Sequence, residues 1–427
     1  MVSFLYTLSG HCRRIRGPVL VACLCSANAW AAETAIVGGM DANYSYDDNV
    51  NVVAGNKIAL AGLKLEGFGE LQYRTPRLDT KTRLTLGAKR NNYTDLESDN
   101  PLLKEPDDSD FDYESYNLNT DVSYAWERHT LGIYGRIEQD SNINTQFADG
   151  GLGGLRQVQG SSNVDTTVVR PTWGWQLTER QYLQTTLQAQ FADYQSDRYV
   201  NYDYYSAQTT WFYSWSERVQ LQVRPLGARY ENAAQFSVTT DTYGLEAGVI
   251  WSINEKVELN VLGGVTEVST DYGGRGFFIF DPETGQPEFI ELEDENNNGF
   301  TGSGDLSYKE ELYGFSATVN ASYSPSSNGY LQEDNRAGFS FYWTPRERLR
   351  FDLDTQVGMT DTSGNEFKNK RTFGQGAVRA SYQFAREWWV SGRYRYREQD
   401  YDRNSLGSAD GNLFSVGVSY KLPKDIL

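Results

Sequence analysis

Between residues 183 and 191 the chain reads Leu-Gln-Thr-Thr-Leu-Gln-Ala-Gln-Phe, and this strict alternation restricts its fold more than any other feature. Side chains alternate across a strand, so Leu183, Thr185, Leu187, Ala189 and Phe191 share one face and Gln184, Thr186, Gln188 and Gln190 the other. Just upstream, residues 171–177 carry Trp173 and Trp175 and run into the polar triplet Thr178-Glu179-Arg180. The unit is therefore strand, tight turn, strand. It recurs at Trp126-Glu127-Arg128, Trp215-Ser216-Glu217-Arg218, Ile253-Asn254-Glu255-Lys256, Thr344-Pro345-Arg346-Glu347-Arg348 and Ala385-Arg386-Glu387. Successive glutamates of these turns stand 52, 38, 38, 92 and 40 residues apart, which sets one hairpin pair per roughly 40 residues, with the 92 as two units.

Composition agrees with many strands joined by turns. Of 427 residues 14% are aromatic, and 40 Gly stand against 11 Pro. A mean hydropathy of −0.59 leaves no stretch near the ~20 apolar residues of a spanning helix. Such a chain suits a β-barrel or a propeller.

Arg13, Arg14 and Arg16 precede an apolar run from Val19 to Cys25, and Ala27-Asn28-Ala29 or Ala29-Trp30-Ala31 offers a small-x-small cleavage site. Residues 1–31 read as a secretory signal and 32–427 as one barrel domain. The segment Leu20-Val21-Ala22-Cys23 resembles a lipoprotein cleavage box, behind an apolar run short for that role. All three cysteines, Cys12, Cys23 and Cys25, lie in the signal, so the mature chain has no disulfide framework. Without the three signal arginines, 36 basic residues face 57 acidic ones, a net charge of −21 that excludes nucleic acid as a partner.

The remaining strands follow one plan. Segments of about 12 to 16 residues are joined by short turns on one side and by longer Asp/Asn/Gly/Ser-rich loops on the other, near 142–162, 195–202, 231–239, 272–309, 362–370 and 403–411. Between Asp95 and Glu114 the chain carries nine acids and one lysine, a solvated loop. This asymmetry is that of a transmembrane antiparallel up-and-down β-barrel in a Gram-negative outer membrane, its short turns periplasmic. Trp126, Trp175, Trp215, Trp251, Trp343 and Trp388 lie beside the short turns as an aromatic girdle against lipid. Seventeen segments are evident, and parity requires an even number when both termini face the periplasm. We expect 18 strands, with 16 as the alternative. The missing one falls within 276–305 if 323–329 is an outer loop, or is a stub at 330–333 if 323–329 is a turn.

With apolar faces toward lipid, the opposite faces line the lumen. These are Arg218, Gln220, Gln222 and Arg224; Glu258 and Asn260; Arg348, Arg350, Asp352 and Asp354; and Arg393, Arg395 and Arg397. A mixed-sign, amide-rich lining suits a hydrated channel or a closed network of ion pairs, and an 18-stranded wall leaves room for the former. In a channel the arginines would meet anionic groups and the amides sugar hydroxyls. Asp294, Asn296 and Asn298 before Gly299, with Asp305 at the twelfth position, occupy the spacing of a calcium loop, although glutamate is usual at the last position and an ordinary surface loop has the same composition. Catalysis has little support. The mature chain has one histidine, His129, beside a turn, and no cysteine, so Ser-His and Cys-His dyads and His-based metal sites have almost nothing to stand on, and no cofactor is required.

The segment Tyr46-Asp47-Asp48-Asn49-Val50, the Thr-Glu-Arg and Trp-Ser-Glu-Arg-Val hairpins, and the final strand with Phe414, Val416, Val418, Tyr420 and Leu422 on one face resemble the type 2 porin-like outer-membrane β-barrel family. The last strand also resembles the signal read by the barrel-insertion machinery, with residues 423–427 following where many barrels end in an aromatic residue. The family resemblance implies association with exopolysaccharide and capsule export, with polysaccharide and periplasmic export components as partners. Three functions follow as expectations: a passive conduit or accessory protein for polysaccharide secretion, a general or solute-specific diffusion porin, and a structural or adhesive barrel with calcium-stiffened loops.

Overall fold

A computed structural model describes residues 32–50, 52, 56–98, 111–141, 163–196, 199–232, 238–274, 276–280, 287–291, 294–325, 331–362, 370–401, 408–422 and 425–426. The signal segment 1–31 lies outside the described residues. The first strands are β1 (Glu33–Asp47), β2 (Asn56–Arg74), β3 (Leu78–Ser98), β4 (Tyr113–Trp126), β5 (His129–Ser141), β6 (Asn163–Thr178) and β7 (Gln181–Tyr194). Next come β8 (Tyr202–Ser214), β9 (Val219–Asn232), β10 (Thr239–Ser252), β11 (Val257–Asp271), and the short β12 (Gly276–Phe280) and β13 (Pro287–Glu291). The chain continues through β14 (Glu295–Lys309), β15 (Tyr313–Pro325), β16 (Leu331–Arg346), β17 (Leu349–Thr362), β18 (Lys370–Ala385), β19 (Trp388–Tyr401), β20 (Ala409–Lys421) and β21 (Asp425–Ile426).

Each wall strand pairs antiparallel with its predecessor, and β11 pairs directly with β14. The wall closes where β1 meets β20, Gly39 opposite Lys421 through Asp47 opposite Leu413. The result is an 18-stranded up-and-down barrel. β12 and β13 form a separate two-stranded hairpin, and β21 adds two residues beside Ala35 and Ile36. Closure matters energetically because it removes the unpaired sheet edges that would otherwise recruit another chain.

The strand absent from the sequence count is β14. It occupies most of the second half of the segment read as the outer loop 272–309, which is corrected here: that segment holds the hairpin β12–β13 and a full wall strand. Connections on one side are two to four residues long, as at 127–128, 179–180, 215–218 and 253–256. Both the start of β1 and the end of β20 lie on this turn side, as an even strand count demands.

The recurrent turns are shaped less by their glutamate than by the residue before it. Ser216 Oγ accepts hydrogen bonds from the Arg218 and Val219 amides at 3.3 and 3.1 Å, and Asn254 Oδ1 accepts from those of Lys256 and Val257, both at 2.9 Å. Thr178 Oγ1 accepts from the Arg180 amide at 3.3 Å. A short side-chain oxygen at the strand end thus folds back on the turn and satisfies its donors. In the Trp126-Glu127-Arg128 turn that oxygen is missing, and Glu127 adopts a φ of 36°.

Side chains splay apart outside a closed wall and converge within it, so exposure distinguishes the faces. Ile36, Met40, Leu63, Leu65, Leu84, Leu86, Val265 and Phe300 are among the exposed large hydrophobics, and they alternate along their strands with polar residues. The apolar set is the exterior. Around the turn-side rim, Trp126, His129, Trp173 and Trp175 stack with ring centroids 5.3 to 6.0 Å apart. His129 is therefore a member of an aromatic belt.

Candidate functional site

The inner wall is built from the alternate residues of all 18 strands. Gln220, Gln222 and Arg224 of β9 lie across from the inward residues of β10, and Gln222 Nε2 donates to Asn260 Oδ1 of β11 at 2.7 Å. Arg224 Nη2 stands 2.5 Å from Glu246 Oε2, a carboxylate with 3% of its side chain exposed. Glu258 shares the inward face of β11 with Asn260. On β17, Arg350 pairs with Asp352 at 2.7 Å, and Asp354 accepts a hydrogen bond from Ser340 Oγ at 2.8 Å. On β19, Arg393, Arg395 and Arg397 follow one another on the same face. Two expected lumen residues are corrected: Arg218 and Arg348 precede β9 and β17 and sit exposed in the turns, because each strand begins one residue later.

The residues expected to hold calcium are also corrected. Asn296, Asn298 and Asp305 belong to β14, where they stand opposite Ser269, Glu267 and Asn260 of β11. Asn296 and Asn298 share the outward parity of Phe300, whereas Asp305 shares the inward parity of Asn260. An extended rise of ~3.3 Å per residue puts Asp294 and Asp305 more than ~30 Å apart along the strand. The glycine that would have turned the loop, Gly299, is a strand residue beside Thr266. These four residues do not converge, and among the described residues no group of three or more His, Cys, Asp or Glu side chains is placed to hold a metal ion.

Much of the lining was missed, the Glu70 cluster because it depends on register and the pairs within one strand because the alternation of β2, β5 and β16 was not followed inward. Glu70, almost buried, faces Lys81 at 3.4 Å and Arg83 at 3.8 Å, and Arg83 lies over the Phe68 ring at 3.9 Å. Arg336 pairs with Asp334 at 2.5 Å, Arg136 with Glu138 at 3.3 Å and Lys64 with Glu66 at 2.7 Å. Arcs of opposite character result. β6 to β9 present mostly Thr, Ser and Gln, as in Thr172 with Thr186 and Arg170 donating to Gln188, while β16 to β19 present arginines.

Near the loop-side rim the inner face becomes apolar. Val164, Ala192, Tyr202, Tyr230, Val268 and Leu331 form one buried cluster, and Val50, Ile58, Leu60 and Phe111 a second. Asp48, Asn49 and Val50 are held at the seam beside this second cluster. Arg397 Nη2 contacts Asp47 Oδ1 at 2.5 Å and donates to the Asn49 carbonyl at 3.2 Å, while Asn412 Nδ2 donates to Asp48 Oδ2 at 2.8 Å. On the turn side, Lys256 Nζ reaches Glu310 Oε1 at 2.8 Å and Tyr308 donates to Glu310 Oε2 at 2.8 Å. Those hydrogen bonds, that of Lys256 first, hold the Glu310 carboxyl below the usual carboxylate range.

No family model and no curated protein sequence matches the chain. Among solved structures it is similar to OccAB4 of Acinetobacter baumannii, with a TM-score of 0.42, 10% identity, and 92% of this chain and 98% of that one covered. It is similar to OccK9 (OpdG) of Pseudomonas aeruginosa, with a TM-score of 0.43, 10% identity, and coverage of 91% and 98%. The FrpB iron transporter of Neisseria meningitidis gives a TM-score of 0.45, 8% identity, and coverage of 90% and 81%. At these values the likeness assigns neither a family nor a substrate to this chain.

Proposed function

We propose that the protein is a passive outer-membrane channel for small hydrophilic solutes. The observation that carries this reading is the closed 18-stranded wall with an apolar exterior and a lining of charged, amide and hydroxyl side chains, since walls of 16 to 18 strands enclose an aqueous lumen. The exterior matches hydrocarbon, and the tryptophan belt on the turn side marks one interface. No cofactor enters this function. The secretory signal supports delivery across the inner membrane, and the last wall strand supports recognition by the insertion machinery. The export of polysaccharide was implied by a family resemblance, and no feature of the lumen favours it over diffusion.

Insertion of the purified protein into a planar lipid bilayer tests the proposal. Stepwise, persistent conductance in KCl is the expected result. A sealed bilayer, with insertion verified by protease protection, would overturn it.

A further inference from the structure

Nearly every basic side chain of the lining has a carboxylate: Lys64 has Glu66, Arg136 has Glu138, Arg224 has Glu246, Arg336 has Asp334, Arg350 has Asp352 and Arg397 has Asp47. Lys89 of β3 and Arg170, which donates to Gln188, stand apart from the pattern singly, and three arginines break it as a group. Arg379 of β18 stands directly opposite Arg393 of β19, and Arg395 follows two residues along the same face. Like charges directly opposed across a ladder are destabilising. Among the described residues none of the three has an ion pair or a side-chain hydrogen bond, and the Arg395 Nε–H is shielded from solvent without an acceptor. Such a donor normally has a partner.

Arg393 and Arg395 border a recess of about 510 Å³ on the inner wall, together with Thr318, Asn320, Ser340, Gln356 and Gln375. Its one carboxylate, Asp354, is engaged by Ser340. The third arginine of the recess, Arg336, is neutralised by Asp334, so the two unpaired arginines against one carboxylate leave an excess of one positive charge, and Arg379, outside the recess, stands directly opposite Arg393. Guanidinium groups present planar, paired donors that match the oxygens of a carboxylate, phosphate or sulfate, and such bonds are the stronger kind. The neutral side chains around them offer donors and acceptors for hydroxyl groups. The volume accommodates a molecule of monosaccharide size.

Resting on the channel reading, we propose that Arg393 and Arg395, with Arg379 opposed to Arg393 on the neighbouring strand, form an oxyanion-binding site in the lumen that selects small, hydroxyl-bearing anionic solutes. The anion takes the place of the carboxylate that these arginines lack, and the adjacent amides hold its polar body. Mutual repulsion of the arginines in the empty wall is the driving force for occupancy.

Calorimetric titration of the full chain in detergent with sodium gluconate, sodium phosphate, sodium sulfate and glucose tests the site. Saturable binding of at least one anion, with glucose much weaker, is expected, and the three salts distinguish carboxylate, phosphate and sulfate. The double variant Arg393→Gln/Arg395→Gln should bind that anion about tenfold or more weakly, because charge-assisted hydrogen bonds are lost. Arg350→Gln, whose arginine already pairs with Asp352, should bind as the parent does, and heat-dependent gel mobility verifies that each variant is folded. If all three anions fail to saturate, or if folded double variant binds unchanged, the proposal is overturned. Conductance separates the two readings: a conducting protein that binds no anion retains the channel and loses the site, whereas a binding protein that never conducts retains the site and loses the channel.

Discussion

Replacing Arg397 should destabilise the barrel far more than replacing an equally close pair on its rim. Arg397 Nη2 and Asp47 Oδ1 are 2.5 Å apart, with 7% of each side chain exposed. The Asn49 amide also donates to Asp47 Oδ1, at 3.2 Å. In Arg397→Met the carboxylate keeps that one donor and the more distant charge of Lys89, and loses its paired counter-charge in a site water barely reaches. Leaving a buried charge uncompensated costs about 3–5 kcal/mol. Arg74 and Asp79 are nearly as close, at 2.8 Å, but 68% and 44% exposed, and such pairs contribute about 0.2–1 kcal/mol. Burial, not distance, decides between them. Urea unfolding of barrels refolded into lipid vesicles, followed by tryptophan fluorescence, gives both values. Arg397→Met/Asp47→Leu should recover most of the loss, since apolar replacement of both partners is often neutral. A loss below about 1 kcal/mol for Arg397→Met, equal to that of Arg74→Ala, would refute the claim that the seam is held by a desolvated ion pair.

Val265→Arg, at the middle of β11 on the exterior, should lower stability in the same assay by about 2–4 kcal/mol, whereas Asn260→Arg on the inner face should change it little; the reverse order would invert the assigned faces. Arg379→Gln should raise stability by about 0.2–1 kcal/mol by removing one of two opposed charges, and a loss instead would show that they hold each other through a partner. The Glu310 carboxyl is depressed in the folded state, so its contribution is present above the ordinary glutamate value of about 4.3 and is lost as pH falls through the folded one. Thermal midpoints of the parent and Glu310→Gln should therefore differ at neutral pH and merge in acid. A difference that grows on acidification would contradict this assignment.

Alternation and turn spacing were enough to define the barrel and the alternating faces of β9, β11, β17 and β19, because each of these strands carries bulky apolar residues at most of its outward positions. β14 was placed only as one alternative within 276–305, without its own bounds, for a physical reason. Its outward positions include Asn296, Asn298, Gly302 and Gly304, so the period of two is visible only at Phe300, Leu306 and Tyr308. Pairing with β11 and β15 supplies what local propensity does not. The same limit applies to the lining. Arg393 and Arg395 are legible on one strand, but their opposition to Arg379 arises from register between β18 and β19, and Glu70 gains its partners from β3.

The seam also has a consequence for how the barrel comes into being. Tyr46 meets Phe414, so the ladder that completes the wall joins segments 368 residues apart, while neighbouring strands meet after a few tens of residues. Chain-closure entropy grows only logarithmically, and closing the larger ring costs about 2 kcal/mol more than closing one hairpin. The open edge is the greater obstacle. Until β20 is in place, the edge of β1 that it covers has unpaired amides and carbonyls. An assembly factor that occupies the β1 edge during that interval would suppress misjoining of two chains without adding any stability to the finished ring.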